Sequence, residues 1–119
     1  MAKHDRGEIV WAKAEKTVAG GFKPRPVLIL AVWPCNGTFD YLVCVCSSSR
    51  LMDPYKTGLE NADFEFGGFP VGEDTAFIRP TYTTTIPESD FLESVGKLTE
   101  SKFNEVKAAL AKALNLYGH

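Results

Sequence analysis

The chain has 119 residues, a formal net charge of −2, 45% hydrophobic residues and 24% charged ones. That length suits one domain, residues 1–119, around one core, and the composition is that of an ordinary globular protein. No apolar run approaches the roughly 20 residues a membrane-spanning helix needs. The opening Met1-Ala2-Lys3-His4-Asp5-Arg6 has no apolar segment behind it, so no signal peptide, no membrane association and a cytoplasmic location are expected.

Charge is unevenly placed. Through Lys56 there are eight basic and five acidic side chains, whereas Thr57 to Glu100 holds two basic and nine acidic ones. Such a division suits two different partners as well as a mixed solvated surface. The three cysteines are an odd number in a short chain, which argues against a disulfide framework. Cys44 and Cys46 lie two apart in an apolar run and point to one face of a strand. With Asn36-Gly37 as a two-residue turn, Cys44 falls opposite about Ile29 rather than Cys35. Buried free thiols are expected, and no metal site, since the two histidines sit at the chain ends.

In chain order, Ile9-Val10-Trp11-Ala12 is a short β-rich run, and Lys13 to Lys23, with Gly20-Gly21, reads as a loop. Pro24 and Pro26 hold the backbone extended around Arg25. Val27 to Trp33 is wholly apolar, which predicts a fully buried central strand. Asn36-Gly37 then predicts a hairpin, with Phe39 to Cys46 as the returning strand. Ser47-Ser48-Ser49-Arg50 follows at the strand end, and Asp53-Pro54 and Thr57-Gly58 punctuate turns. Asp63 to Phe66 alternates like an edge strand, Gly67-Gly68 breaks it, and Thr75 to Arg79 reads as another strand. Tyr82 to Ile86 and Ser94 to Leu98 are shorter extended segments, with a helical turn near Pro87 to Asp90. Thr99 is placed to cap a C-terminal helix whose apolar stripe is Phe103, Val106, Leu110, Leu114 and Tyr117, with Gly118 as its stop. The sum is five to seven strands and one helix: a mainly β, α+β fold, most simply a small barrel whose edges are closed or covered.

Standard catalytic signatures are absent: no Gly-x-Ser-x-Gly, phosphate loop, His-Glu-x-x-His or paired Cys-x-x-Cys occurs. What remains is Arg25 on a rigid strand entry, the Ser47 to Arg50 stretch, and Arg79 before Pro80. Guanidinium and hydroxyl groups converging on one cleft suit a phosphate. Each also has a plainer reading, as a surface ion-pair partner, a turn, or a counter-charge to the acidic middle segment.

The order of the pieces is informative. Gly7-Glu8-Ile9-Val10-Trp11, a glycine-containing loop, Pro24-Arg25-Pro26-Val27-Leu28-Ile29-Leu30 and then Cys44-Val45-Cys46-Ser47-Ser48-Ser49 resembles the MazF/PemK family of toxin endoribonucleases. Phe77-Ile78-Arg79 and Val95-Gly96-Lys97-Leu98-Thr99 before a helix resemble its C-terminal half. The resemblance spans nearly the whole chain, with a poor fit from Leu51 to Asp74. It implies an SH3-like β-barrel of the CcdB/Kid/MazF type with a C-terminal helix, usually a homodimer. It further implies cleavage of single-stranded RNA without a metal or other cofactor, the ribose 2′-hydroxyl being the nucleophile, and neutralisation by a cognate antitoxin.

On that resemblance Arg25 matches the catalytic arginine, Ser48 the catalytic threonine, and Arg79 a second arginine of the PemK/Kid branch. Ser47, Ser49, Arg50, Arg79, Thr81, Trp11 and Lys23 are the expected substrate-binding residues. That branch places an acid two positions after its second arginine, where this chain has Thr81, and a histidine in the first loop, where this chain has none. Arg25 is a poor proton acceptor and a good electrostatic clamp, so Glu15 in the same loop stands as a speculative base. Trp11 is expected in the core, with a base-stacking face as its alternative. Two other functions remain: a nucleic-acid-binding or regulatory module on the same fold without catalysis, and a protein-directed toxin. The latter is disfavoured because its branch relies on a C-terminal tryptophan and this chain ends Leu116-Tyr117-Gly118-His119.

Overall fold

A computed structural model describes residues 1–16, 19–47, 52–69 and 77–118, with the side chains of Glu15, Lys16 and Tyr117 left aside. The strands are β1 (Glu8–Lys16), β2 (Phe22–Cys35), β3 (Thr38–Ser47), β4 (Thr57–Gly58), β5 (Phe64–Gly67), β6 (Phe77–Pro87) and β7 (Phe91–Leu98), followed by helix α1 (Glu100–Tyr117). Single 3-10 turns at Asn61–Asp63 and Glu88–Asp90 precede β5 and β7. The seven strands form one antiparallel sheet in the order β4-β6-β3-β2-β1-β7-β5. This is the expected β fold with a closing helix, coiled as a half-barrel.

The sheet is buried on both faces, which explains the continuous apolar runs. One face carries Ile9, Leu28, Cys44, Cys46, Ile78 and Leu98, covered by Phe64, Phe69 and the helix residues Phe103 and Val106. The opposite face carries Val10, Ala12, Val27, Ile29, Tyr41, Val43, Val45 and Ile86. Cys44 and Cys46 thus share a face as free thiols, and burial pushes Cys44 up to about 12. Burial along β2 ends sooner than its sequence suggests: Leu30 to Val32 are half-buried and Trp33 is 37% exposed.

Asn36 (φ 49°) and Gly37 (φ 81°) are both left-handed, as a two-residue hairpin with the sheet's own twist demands. An irregularity between Ile29 and Ala31 then shifts the ladder, so Cys44 faces Leu28 and not Ile29. The first loop is shorter than expected, because β1 runs to Lys16 and β2 starts at Phe22. Thr75 lies outside the described residues, and the two segments expected around Arg79 and Tyr82 to Ile86 are one strand. Along it the register jumps from Cys44↔Thr83 to Val45↔Arg79, leaving Pro80, Thr81 and Tyr82 as a bulge.

Thr99 caps α1, its hydroxyl accepting from the Lys102 N–H at 3.2 Å. The helix buries Phe103, Val106 and Ala113, while Leu114 is 60% exposed, so the apolar stripe turns by one residue where α1 leaves the core. Gly118 ends the helix in an extended conformation (φ −76°), its N–H bonded to the Leu114 carbonyl.

Candidate functional site

Arg25 is half-buried in β2, paired with Ala12 of β1, between exposed Pro24 and buried Pro26. Both prolines are tolerated because the β3 ladder stops at Val27, leaving this stretch one partner strand. The rigid entry read from the sequence is therefore real strand, with the guanidinium side chain carried on the face of Val27.

Val27 pairs with Val45, and Val45 pairs with Arg79, so the three form one row across β2, β3 and β6. Directly opposed residues of an antiparallel sheet share a face. Arg25 lies two residues from Val27 and shares that face, as does exposed Lys23 two residues further out. Strand spacing and rise put the Arg25 and Arg79 Cα atoms about 12 Å apart, within the combined reach of two arginine side chains. Ser47 ends β3, two residues from Val45, and pairs with Phe77. Lys56 Nζ lies 4.5 Å from the Phe77 ring centroid. One end of the sheet thus gathers Lys23, Arg25, Arg79, Lys56 and the Ser47 hydroxyl, a donor-rich surface suited to phosphate. Ser48, Ser49 and Arg50, which continue from Ser47, lie outside the described residues.

Arg79 has a partner that its sequence neighbours do not reveal. Its Nε donates to Asp53 Oδ2 at 3.1 Å, and its guanidinium lies 4.8 Å from the Tyr82 ring centroid. Asp53 is itself only 9% exposed and also accepts the Tyr55 N–H on Oδ1 at 2.9 Å. The counter-charge comes from the basic half of the chain, not from the acidic middle segment. Asp53, Tyr55, Arg79, Thr81 and Ala113 line an open pocket of about 570 Å³. Asp53 reads in sequence as turn punctuation before Pro54, and no spacing rule links it to a residue 26 positions away.

Trp11 is half-buried rather than in the core. It pairs with Pro26 and lines an open groove of about 450 Å³ with Pro24, Leu92 and Glu93. The pairing puts Trp11 and Pro26 on one face and Arg25 on the other, so the sheet does not bring Trp11 to the arginine cluster. Glu15 pairs through its backbone with Lys23; its side chain is outside what is described.

A family model of PemK-like, MazF-like toxins of type II toxin–antitoxin systems matches residues 5–114. No curated protein matches the sequence. Among solved structures the fold is similar to an endoribonuclease from a mycobacterial species, with TM-score 0.68 and 18% identity over 97% of this chain and 94% of that one. A mycobacterial endoribonuclease in complex with its cognate antitoxin gives TM-score 0.63 and 20% identity over 93% and 94% of the two chains. A MazE-MazF structure from Deinococcus radiodurans gives TM-score 0.67 and 19% identity over 94% and 96%. With nearly its whole length matched by the family model, the chain belongs to the PemK-like, MazF-like toxin family of type II toxin–antitoxin systems.

Proposed function

We propose that this toxin is an endoribonuclease that cuts single-stranded RNA without a metal and is neutralised by a cognate antitoxin, acting as a cytoplasmic homodimer. The observation that carries this reading is the placement of Arg25 and Arg79 on one face, one row apart, beside the Ser47 end of β3. Attack of a ribose 2′-hydroxyl on the adjacent phosphorus builds negative charge on the non-bridging oxygens. Fixed guanidinium groups aimed at that charge stabilise the transition state more than the ground state. Arg25 is the clamp nearest the hydroxyl-bearing strand end, where Ser48 is the proposed partner for a phosphate oxygen. Lys23, Arg50 and Ser49 extend the contact along the backbone of the strand. The Trp11 groove, on the other face, is left to roles other than stacking at the cleaved bond.

The test is incubation of the purified chain with single-stranded RNA in EDTA, with products resolved by length and end chemistry. The reading requires fragments ending in a 2′,3′-cyclic phosphate. Binding that weakens with salt but leaves the RNA intact identifies instead a nucleic-acid-binding module that lacks turnover.

A further inference from the structure

We propose that Asp53 is the carboxylate that takes the proton from the attacking 2′-hydroxyl, an inference that rests on the endoribonuclease reading above. An arginine stays protonated and cannot serve as acceptor. His4 is committed elsewhere, with Nδ1 2.7 Å from Glu8 Oε2 and its ring against Phe91. Among the described side chains, Glu8 and Glu88 belong to that same N-terminal network, Asp63 pairs with Lys102, and Glu93 lies on the Trp11 face. Asp53 touches a cation of the site, with Oδ2 at 3.1 Å from Arg79 Nε.

Its position sets it beside Thr81. The two residues line the same pocket, which the Asp53 carboxylate enters from the segment before β4. The bulge of Pro80 to Tyr82 lifts residue 81 out of the ladder beside Arg79. The carboxylate is also pre-oriented: the Tyr55 N–H fixes Oδ1 and Arg79 Nε fixes Oδ2, and each oxygen keeps a second lone pair for a proton. Arg79 uses Nε for this and retains its terminal nitrogens as phosphate donors.

In the step, the O2′–H bond breaks and its proton passes to the Asp53 carboxylate while O2′ forms a bond to phosphorus. The P–O5′ bond breaks with its electron pair on O5′, which takes a proton from water. The products are a 2′,3′-cyclic phosphate and a 5′-hydroxyl, and Asp53 later returns its proton to solvent.

The experiment compares wild type, Asp53→Asn, Thr81→Asp and the double variant on one single-stranded RNA, with kcat and KM separated and melting temperatures recorded. Loss of a positioned base lowers kcat by about 10²–10⁴-fold with little change in KM. The inference predicts that loss for Asp53→Asn, and at least a roughly tenfold recovery when Thr81→Asp restores a carboxylate to the pocket. Given an active wild type, retained or increased cutting by Asp53→Asn, a change confined to KM, or no recovery in the double variant overturns it. Increased cutting would show that Asp53 merely quenches Arg79. If Asp53→Asn melts early, Asp53→Glu replaces it, with reduced kcat predicted and full activity contradictory. A wild type that cuts nothing removes the endoribonuclease reading, and this inference with it.

Discussion

Val45 and Arg79 are direct partners across β3 and β6, and the ladder breaks on the very next residue, where Cys44 pairs with Thr83. The break sets a cation in an apolar row that already holds Val27, bringing Arg79 onto the face of Arg25, one row away. It also exposes Thr81 and Tyr82 beside the guanidinium, with buried Pro80 anchoring the bulge. A regular ladder would put these residues in alternation, with no pocket between them.

The electrostatic part of the account predicts salt-dependent RNA binding. Each phosphate neutralised on a single strand contributes about 0.7 to the slope of log K against log salt. Lys23 is exposed and on the Arg25 face, so Lys23→Ala should reduce that slope by about 0.7, read from titrations at several salt concentrations. An unchanged slope would remove Lys23 from the contact surface.

Cysteine accessibility checks the two-core arrangement. Cys44 and Cys46 are fully buried, and burial raises both thiols, Cys44 to about 12. Cys35 is half-buried and raised by its hydrogen bond with Asp40. A small alkylating reagent should modify one thiol in the native protein, slowly at neutral pH, and all three after denaturation, as counted by mass.

The N-terminal segment is fastened by a hydrogen bond from Tyr41 Oη to Glu88 Oε1 at 2.5 Å, with the Lys3 N–H on the same oxygen at 2.7 Å. Burial first, and then the bond to Glu88, raises Tyr41 to about 12, while the Lys3 N–H and the Tyr41 hydroxyl hold Glu88 below its ordinary value. The neutral phenol therefore contributes stability fully below pH ~10, and loses it as pH rises toward 12. The ionised Glu88 contributes above the usual carboxylate pKa and loses that contribution as pH falls through its own lowered value. Ultraviolet titration should show Tyr41 ionising late in the native protein and normally in denaturant.

The hairpin and the helix start were legible because their signals are local. Asn36-Gly37 satisfies its own backbone, and Thr99 caps a helix within three residues. The β6 bulge was not legible, since it depends on how a buried proline fits against β3. The Arg79–Asp53 pair joins residues that only the sheet brings together. Trp11 reads as core because its run is apolar on both sides, whereas in the fold it is half-buried beside an open groove with Pro24, Leu92 and Glu93. For the arginines, sequence supplied the residues and the register supplied their common face.

Backbone crowding between β5 and β7 gives a stability test. A Cβ on Gly67, whose φ is +78°, would lie 2.3 Å from the Val95 carbonyl oxygen, and one on Gly96 would lie 2.4 Å from that of Phe66. Gly67→Ala should cost about 3 kcal/mol, lowering the melting temperature by roughly 10 °C. Gly58→Ala, with nothing within 4 Å, should leave it nearly unchanged.

The central claim is that Arg25 clamps the phosphate at which RNA is cut. Its most direct test is the rate of single-stranded RNA cleavage in EDTA by wild type and Arg25→Ala, with folding checked by melting temperature. Removal of one preorganised charge donor from a transition state costs about 10²–10³ in kcat, and the account predicts at least that loss in a protein that still melts like wild type. Cleavage by Arg25→Ala at the wild-type rate would contradict it.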